Sequence, residues 1–190
     1  MKKLLALILV MLMVGVAYAD ATFDLTKALQ QSPEKLTAKR VQSLIKRGAD
    51  VNYYSDDDGC TPLMIALENN AKSEVIRALI NAGADVDISD NAGNTVLMYA
   101  CMGQTSTEPA IVRLILEKGA QVNAQNEAGQ SAIMFIAGNV WNDKAHEIAR
   151  ILIEYGAYID ETDNEGNGVL YYVNEDDDEM REILENAPKG

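Results

Sequence analysis

His146 is the only histidine of this 190-residue chain, and a lone imidazole is the first place to look for acid–base chemistry. To act as a general base it needs a nucleophile within reach and a carboxylate that orients its ring. Neither stands at a recognisable spacing, so a solvated surface histidine is expected. Acids gather in three runs: Asp56-Asp57-Asp58 before Gly59, then Glu161, Asp163 and Glu165 before Gly166, then Asp176-Asp177-Asp178-Glu179. A helix–loop–helix calcium loop needs alternating acids before its glycine and a glutamate six residues after it. Ile65 takes that closing place in the first run and Tyr172 in the second, so both read as connector acids. The third run is a loop that also places acid at the start of a last helix, where the helix dipole favours it. These residues predict no catalytic site, no cofactor and no metal.

The segments that carry these acids recur. Gly59 to Leu67, GCTPLMIAL, returns in degraded form from Gly93 to Cys101, from Gly129 to Ala137 and from Gly166 to Asn174. A second landmark closes each copy: RGADVN ending at Asn52, AGADVD at Asp87, KGAQVN at Asn123 and YGAYID at Asp160. The first set of glycines is spaced by 34, 36 and 37 residues and the second by 35, 36 and 37. Within a copy, the hydroxyls of Thr61 and Thr95 are placed to cap a first helix, and Pro62 takes the first helical position. Leu63, Ala66 and Leu67 share one face of that helix. A second helix follows with the stripe Val75, Ile76, Leu79 and Ile80, or Ile111, Val112, Ile115 and Leu116, and Gly83, Gly119 and Gly156 stop it. One such pair cannot bury its apolar faces alone, so the copies must stack. The stacking predicts that Ala66 and Ala100 sit at close helix contacts and that Asn69 and Asn94 face solvent.

This period and pattern resemble the ankyrin repeat. The resemblance covers roughly Asp24 to Ala187 and implies an all-α solenoid of stacked helix pairs with short hairpin-like connectors. Five units are expected, at about 20–55, 56–89, 90–125, 126–162 and 163–190, the first and last acting as caps. Met64, Met98, Met134 and Tyr171 stand where the family has a histidine after Thr-Pro-Leu. That loses a structural hydrogen bond and makes the strip apolar, either as core or as an adaptable contact. The loops between paired helices lengthen in units two to four; the insertions include Gly103 to Pro109 and Gly138 to Ala145.

Ahead of the repeats, Met1-Lys2-Lys3, the apolar run Leu4 to Ala17 and the small-x-small triplet Ala17-Tyr18-Ala19 read as a signal peptide cut after Ala19. The expected domains are therefore 1–19, signal peptide, and 20–190, one repeat domain. The leader is of bacterial type and the chain has no Asn-x-Ser/Thr acceptor, which favours a periplasmic or secreted protein, free of the membrane after cleavage. In that setting two thiols could pair. However, Cys60 is expected at the exposed start of a first helix and Cys101 at a buried helix position. That geometry exceeds the roughly 7 Å bridging limit, so free thiols are favoured.

The chain carries 16 basic and 29 acidic residues, a net of −13. Losing residues 1–19 removes two lysines and leaves 14 basic against 29 acidic residues, a net of −15. Such a charge repels nucleic acid; beyond that it reads either as solubility alone or as a matched surface. The resemblance places contact residues at the hairpin tips and the exposed ends of the first helices. Among them are Asp57, Asp58, Asn91, Asn94, Glu127, Gln130, Glu165 and Asn167 at the tips. Glu68, Asn69, Met102, Glu175 and Asp176 stand at the helix ends. None is Lys or Arg, so the expected partner is another exported protein with a basic patch, bound by a monomer. Tyr53 and Tyr54 in the longer first hairpin either join that surface or pack on the first unit. Trp141, the one tryptophan, either faces a partner or folds back over the helix ends. The resemblance implies a non-catalytic protein-binding module. Two versions stay open: one that restrains or protects against an exported enzyme, and a general envelope scaffold or stress-related accessory protein.

Overall fold

The computed structural model describes residues 20–103 and 107–188. The signal segment 1–19, its cleavage site and the middle of the Gly103 to Pro109 insertion lie outside the described residues. Ten α-helices are present among those described. Helix α1 covers 20–31 and a 3-10 turn, Pro33–Lys35, leads into α2 (Ala38–Lys46). The others are α3 (Pro62–Glu68), α4 (Ser73–Asn81), α5 (Val96–Met102), α6 (Pro109–Glu117), α7 (Ala132–Ala137), α8 (Ala145–Glu154), α9 (Val169–Tyr172) and α10 (Asp178–Glu185). They form two layers. The inner helices pack in the order α3, α5, α7, α9 and the outer ones in the order α2, α4, α6, α8, α10. Isolated antiparallel bridges, Ser89 with Thr95, Gln125 with Ser131 and Thr162 with Gly168, close the connectors between units.

The local chemistry explains the inner helices. Thr61 Oγ1 accepts from Met64 N at 3.4 Å and Thr95 Oγ1 from Met98 N at 3.3 Å. The methionines answer in return: Met64 Sδ takes the Thr61 N–H at 3.5 Å and Met98 Sδ the Thr95 N–H at 3.4 Å. A thioether is a weak acceptor, so the hydrogen bond lost with the family histidine is replaced in weaker form. Met64, Met98 and Met134 are at most 1 % exposed, which makes them core. Tyr171 is not: it is 70 % exposed, because no further described inner helix covers α9. In unit four the cap fails. The Ser131 hydroxyl is buried without a partner, and α7 has no side-chain cap. Thr61→Ala and Thr95→Ala should each cost about 1 kcal/mol, while Ser131→Ala should be near neutral; urea unfolding of the three variants measures the difference.

The stacked faces share one core that runs from Ala21 and Leu25 in α1 to Ile183 and Leu184 in α10. Ala66 and Ala100 are fully buried in it, as their spacing predicts. Cys101 is also fully buried. Cys60 departs from expectation: it is 4 % exposed rather than at a solvent edge, since the next unit's inner helix lies over it. Both cysteines are free thiols. Burial pushes Cys60 up to about 11 and Cys101 up to about 12, so neither is a thiolate at neutral pH.

Candidate protein-binding face

One edge of the stack is built from the four hairpins, and the residue that heads each turn organises it. Asp90 Oδ1 accepts from Ala92 N and Asn94 N at 2.9 and 2.8 Å; Oδ2 accepts from Asn94 Nδ2 at 3.0 Å and from the Tyr99 hydroxyl at 2.8 Å. Asp163 repeats the arrangement with the backbone of Glu165 and Asn167, the Asn167 amide and the Tyr172 hydroxyl. In unit four the head is Asn126 and the residue nine places on is Phe135, which has no hydroxyl to give. The first hairpin is one residue longer: Ser55 N reaches Cys60 O at 3.3 Å, and Ser55 takes the head place.

Successive hairpins are tied to each other by a repeated set of bonds. Asn91 N donates to Asp58 O, Glu127 N to Ala92 O and Asn164 N to Ala128 O, each at 3.0 Å. The residue that closes each of the first three hairpins, five places after Ser55 and four after Asp90 and Asn126, adds a side-chain link to the next unit. The Cys60 thiol lies 3.1 Å from the Tyr99 hydroxyl, and the thiol donates because the phenol proton goes to Asp90. Asn126 Nδ2 donates to Asn94 Oδ1 at 2.8 Å, and Gln130 Nε2 donates to the Tyr172 hydroxyl at 3.1 Å.

This sorts the expected contact residues into two groups. Asn94, Gln130 and Asn167 are half-buried. Asn94 and Gln130 spend their amides on that ladder and Asn167 on the Asp163 carboxylate of its own hairpin, so Asn94 does not simply face solvent. Asn69 is half-buried too, its amide donating to Ile65 O at 3.0 Å as α3 ends. Asn91 gives its amide to Asp57 O at 3.3 Å. The Asp58 carboxylate takes the Cys60 N–H at 2.9 Å, and that backbone bond holds it below the usual carboxylate range. Tyr54 stays exposed like Tyr53 and donates its hydroxyl to Ser89 O, in the following unit, at 3.0 Å. The rest project: Tyr53, Asp57, Glu68, Glu127, Glu165, Glu175 and Asp176 are exposed, and Met102 is half-exposed. Trp141 does not fold back; it is 75 % exposed beside Val140 at 56 %.

A family model described as Ankyrin repeats (3 copies) matches residues 34–126. These units are ankyrin repeats. Over 131 residues the chain is 30 % identical to the phosphocholine transferase AnkX of Legionella pneumophila, which spans 69 % of this chain and 13 % of that protein. Over 64 residues it is 39 % identical to the human SH3 and multiple ankyrin repeat domains protein 1, spanning 34 % of this chain and 3 % of that one. Over 70 residues it is 34 % identical to the Drosophila melanogaster Neurogenic locus Notch protein, spanning 37 % and 3 %. The chain thus spans a small part of the length of each relative, and ankyrin repeats are a protein-interaction module.

Charge divides this ankyrin stack by layer. Residues 48–71, 78–112, 119–143 and 151–180 contain no Lys or Arg. Every cation from Lys35 to Arg181 therefore falls on an outer helix, at its end, or on the 3-10 turn before α2. His146 also belongs to the outer layer and is not freely solvated. Its Nε2 lies 2.8 Å from Asp177 Oδ1, joining α8 to the start of α10, with no nucleophile described beside it.

The ankyrin ladder also has a pH signature. The Tyr172 hydroxyl, with the backbone of Asn167, brings Asp163 down to about 2 from an ordinary 3.8. A carboxylate depressed in the folded state contributes stability that is complete above its unfolded pKa and is lost as pH falls through the folded one. Urea midpoints should therefore fall between about pH 4 and pH 2. Tyr172→Phe removes the largest cause, so the loss should be smaller and should end at a higher pH, while its start near pH 4, set by the unfolded chain, stays put.

Residue spacing in the sequence missed Tyr99, Phe135 and Tyr172 as part of this face, although a signal was present. Heads Asp90, Asn126 and Asp163 pair with Tyr99, Phe135 and Tyr172 nine residues on, and the hydroxyl is absent only where the acid is.

Proposed function

We propose that the chain is an exported binding protein whose inner face docks on a basic patch of another exported protein, restraining that protein or protecting against it. The observation that carries this reading is the layering of charge. Acids and amides line the hairpin tips and inner-helix ends, and from Lys35 to Arg181 the cations lie on the outer helices, at their ends or on the 3-10 turn before α2. A partner with complementary charge would be steered to that face, faster at low salt, because exposed pairs are screened within about 8–10 Å. The signal-like start, Met1 to Ala19, supports export. Among the described residues no helix is long and apolar enough to cross a membrane.

Two measurements test the reading. Mass spectrometry of the protein from its native host should find an N-terminus at Asp20; intact Met1 in the cytosol would remove the export argument. Immobilised mature chain should then retain a basic exported protein from an envelope extract, and a chain carrying Asp57→Lys, Glu127→Lys and Glu165→Lys should lose it. Equal retention by both chains would overturn the role given to the acidic face.

A further inference from the structure

At the loop end of the inner face, between α3 and α5, lies a depression of about 310 Å³ lined by Glu68, Tyr99, Met102 and Gly103. Its wall is mainly apolar. The Tyr99 hydroxyl is engaged by Asp90 and Cys60, which leaves its ring to the depression beside the Met102 side chain. Glu68 is the one charged group among these four. It is exposed and forms no ion pair among the described residues.

The loop of unit four is fastened to the same place. Asn139 Nδ2 donates to Cys101 O at 2.8 Å and to Gly103 O at 2.9 Å, and Trp141 N donates back to Asn139 Oδ1 at 3.2 Å. Asn142, buried, holds the far side of the loop by accepting from Lys144 N at 2.9 Å. Val140 and Trp141 therefore project from a backbone pinned to the C-terminal end of α5, whose Gly103 also lines the hollow.

We propose that the hollow and the Val140–Trp141 knob form one docking site. The hollow receives a lysine or arginine side chain of a partner protein, and the indole covers apolar surface beside that residue. The methylene stem of such a side chain packs on apolar surface while its head stays at the charged rim, here along Tyr99 and Met102 and against Glu68. A pinned loop loses little freedom on binding, and tryptophan is enriched among residues that dominate interfaces. The proposal rests on the acidic-face reading above and narrows it to one subsite.

The probe is an acetylated and amidated peptide, Gly-Leu-Arg-Leu-Gly, with counterparts carrying norleucine, citrulline or glutamate in place of arginine. The readouts are the methyl NMR signal of Met102, assigned with Met102→Leu, and the fluorescence of Trp141, the chain's one tryptophan. The arginine peptide should shift both saturably and the glutamate peptide neither. Glu68→Gln, a surface change that spares the fold, should weaken binding about tenfold, as for losing a charged hydrogen-bond partner. Norleucine acting as well as arginine, or unchanged binding by Glu68→Gln, would overturn the subsite. If Asp57→Lys, Glu127→Lys and Glu165→Lys abolish peptide binding while Glu68→Gln does not, the subsite falls and the acidic-face reading stands. If the arginine peptide perturbs neither Met102 nor the hairpins, both fall.

Discussion

Gly129→Ala should destabilise the protein by about 2–4 kcal/mol, and Gly166→Ala by only about 1–2 kcal/mol. Both glycines turn a hairpin with a left-handed backbone, at φ +77° and +85°, so an alanine at either carries the same conformational strain. The space around them differs. A Cβ on Gly129 would meet Asn164 N and Oδ1 at 2.7 Å, and backbone beyond them at Asp163, whereas one on Gly166 would meet nothing within 4 Å. The backbone of the next hairpin cannot retreat without breaking the Asn164 N to Ala128 O bond. Urea denaturation of the two variants, with matching slopes, reads the difference directly. Equal losses would show that the hairpins do not stack as closely as these contacts require.

The second large effect is a coupling. Tyr99→Phe removes a hydroxyl that donates to a buried carboxylate and accepts from a buried thiol; it should cost about 1–3 kcal/mol. Asp90→Asn turns one acceptor into a donor facing the amide of Asn94 and should cost a similar amount. Made together, the two changes reproduce the pairing that unit four already uses, Asn126 with Phe135. The double variant should therefore lose less than the two single losses added, by about 0.5–3 kcal/mol. Strict additivity in a four-member cycle would refute the link between head and aromatic residue.

Much of this architecture was legible in the residues. Thr61, Thr95 and Pro62 mark helix starts by chemistry that acts within four residues, and Gly83, Gly119 and Gly156 mark helix ends in the same way. Such local signals survive without knowledge of the neighbouring unit. What escaped was everything that depends on the neighbour. Cys60 looks like a solvent-edge residue until Tyr99 of the next unit covers it. Asn94 and Gln130 look like surface amides until Asn126 and Tyr172 are seen to bond with them. His146 reads as a free imidazole because Asp177, 31 residues away, has no fixed place relative to it in sequence. Trp141 is the opposite case. Its loop position was clear, but only the bonds of Asn139 to Cys101 and Gly103 show that the loop is pinned with the indole outward.

The side-chain links between hairpins bear on whether the units are interchangeable parts. Cys60 with Tyr99, Asn94 with Asn126 and Gln130 with Tyr172 are three different solutions at one geometric place. Transposing units three and four would leave the Cys60 thiol beside Phe135, which offers no oxygen, and would strand the only junction of that kind. Gln130 placed before Tyr99 would still find a hydroxyl. Assembly order is thus partly encoded at the junctions themselves. A grafted or duplicated unit should be tolerated only where it brings the matching half of the pair.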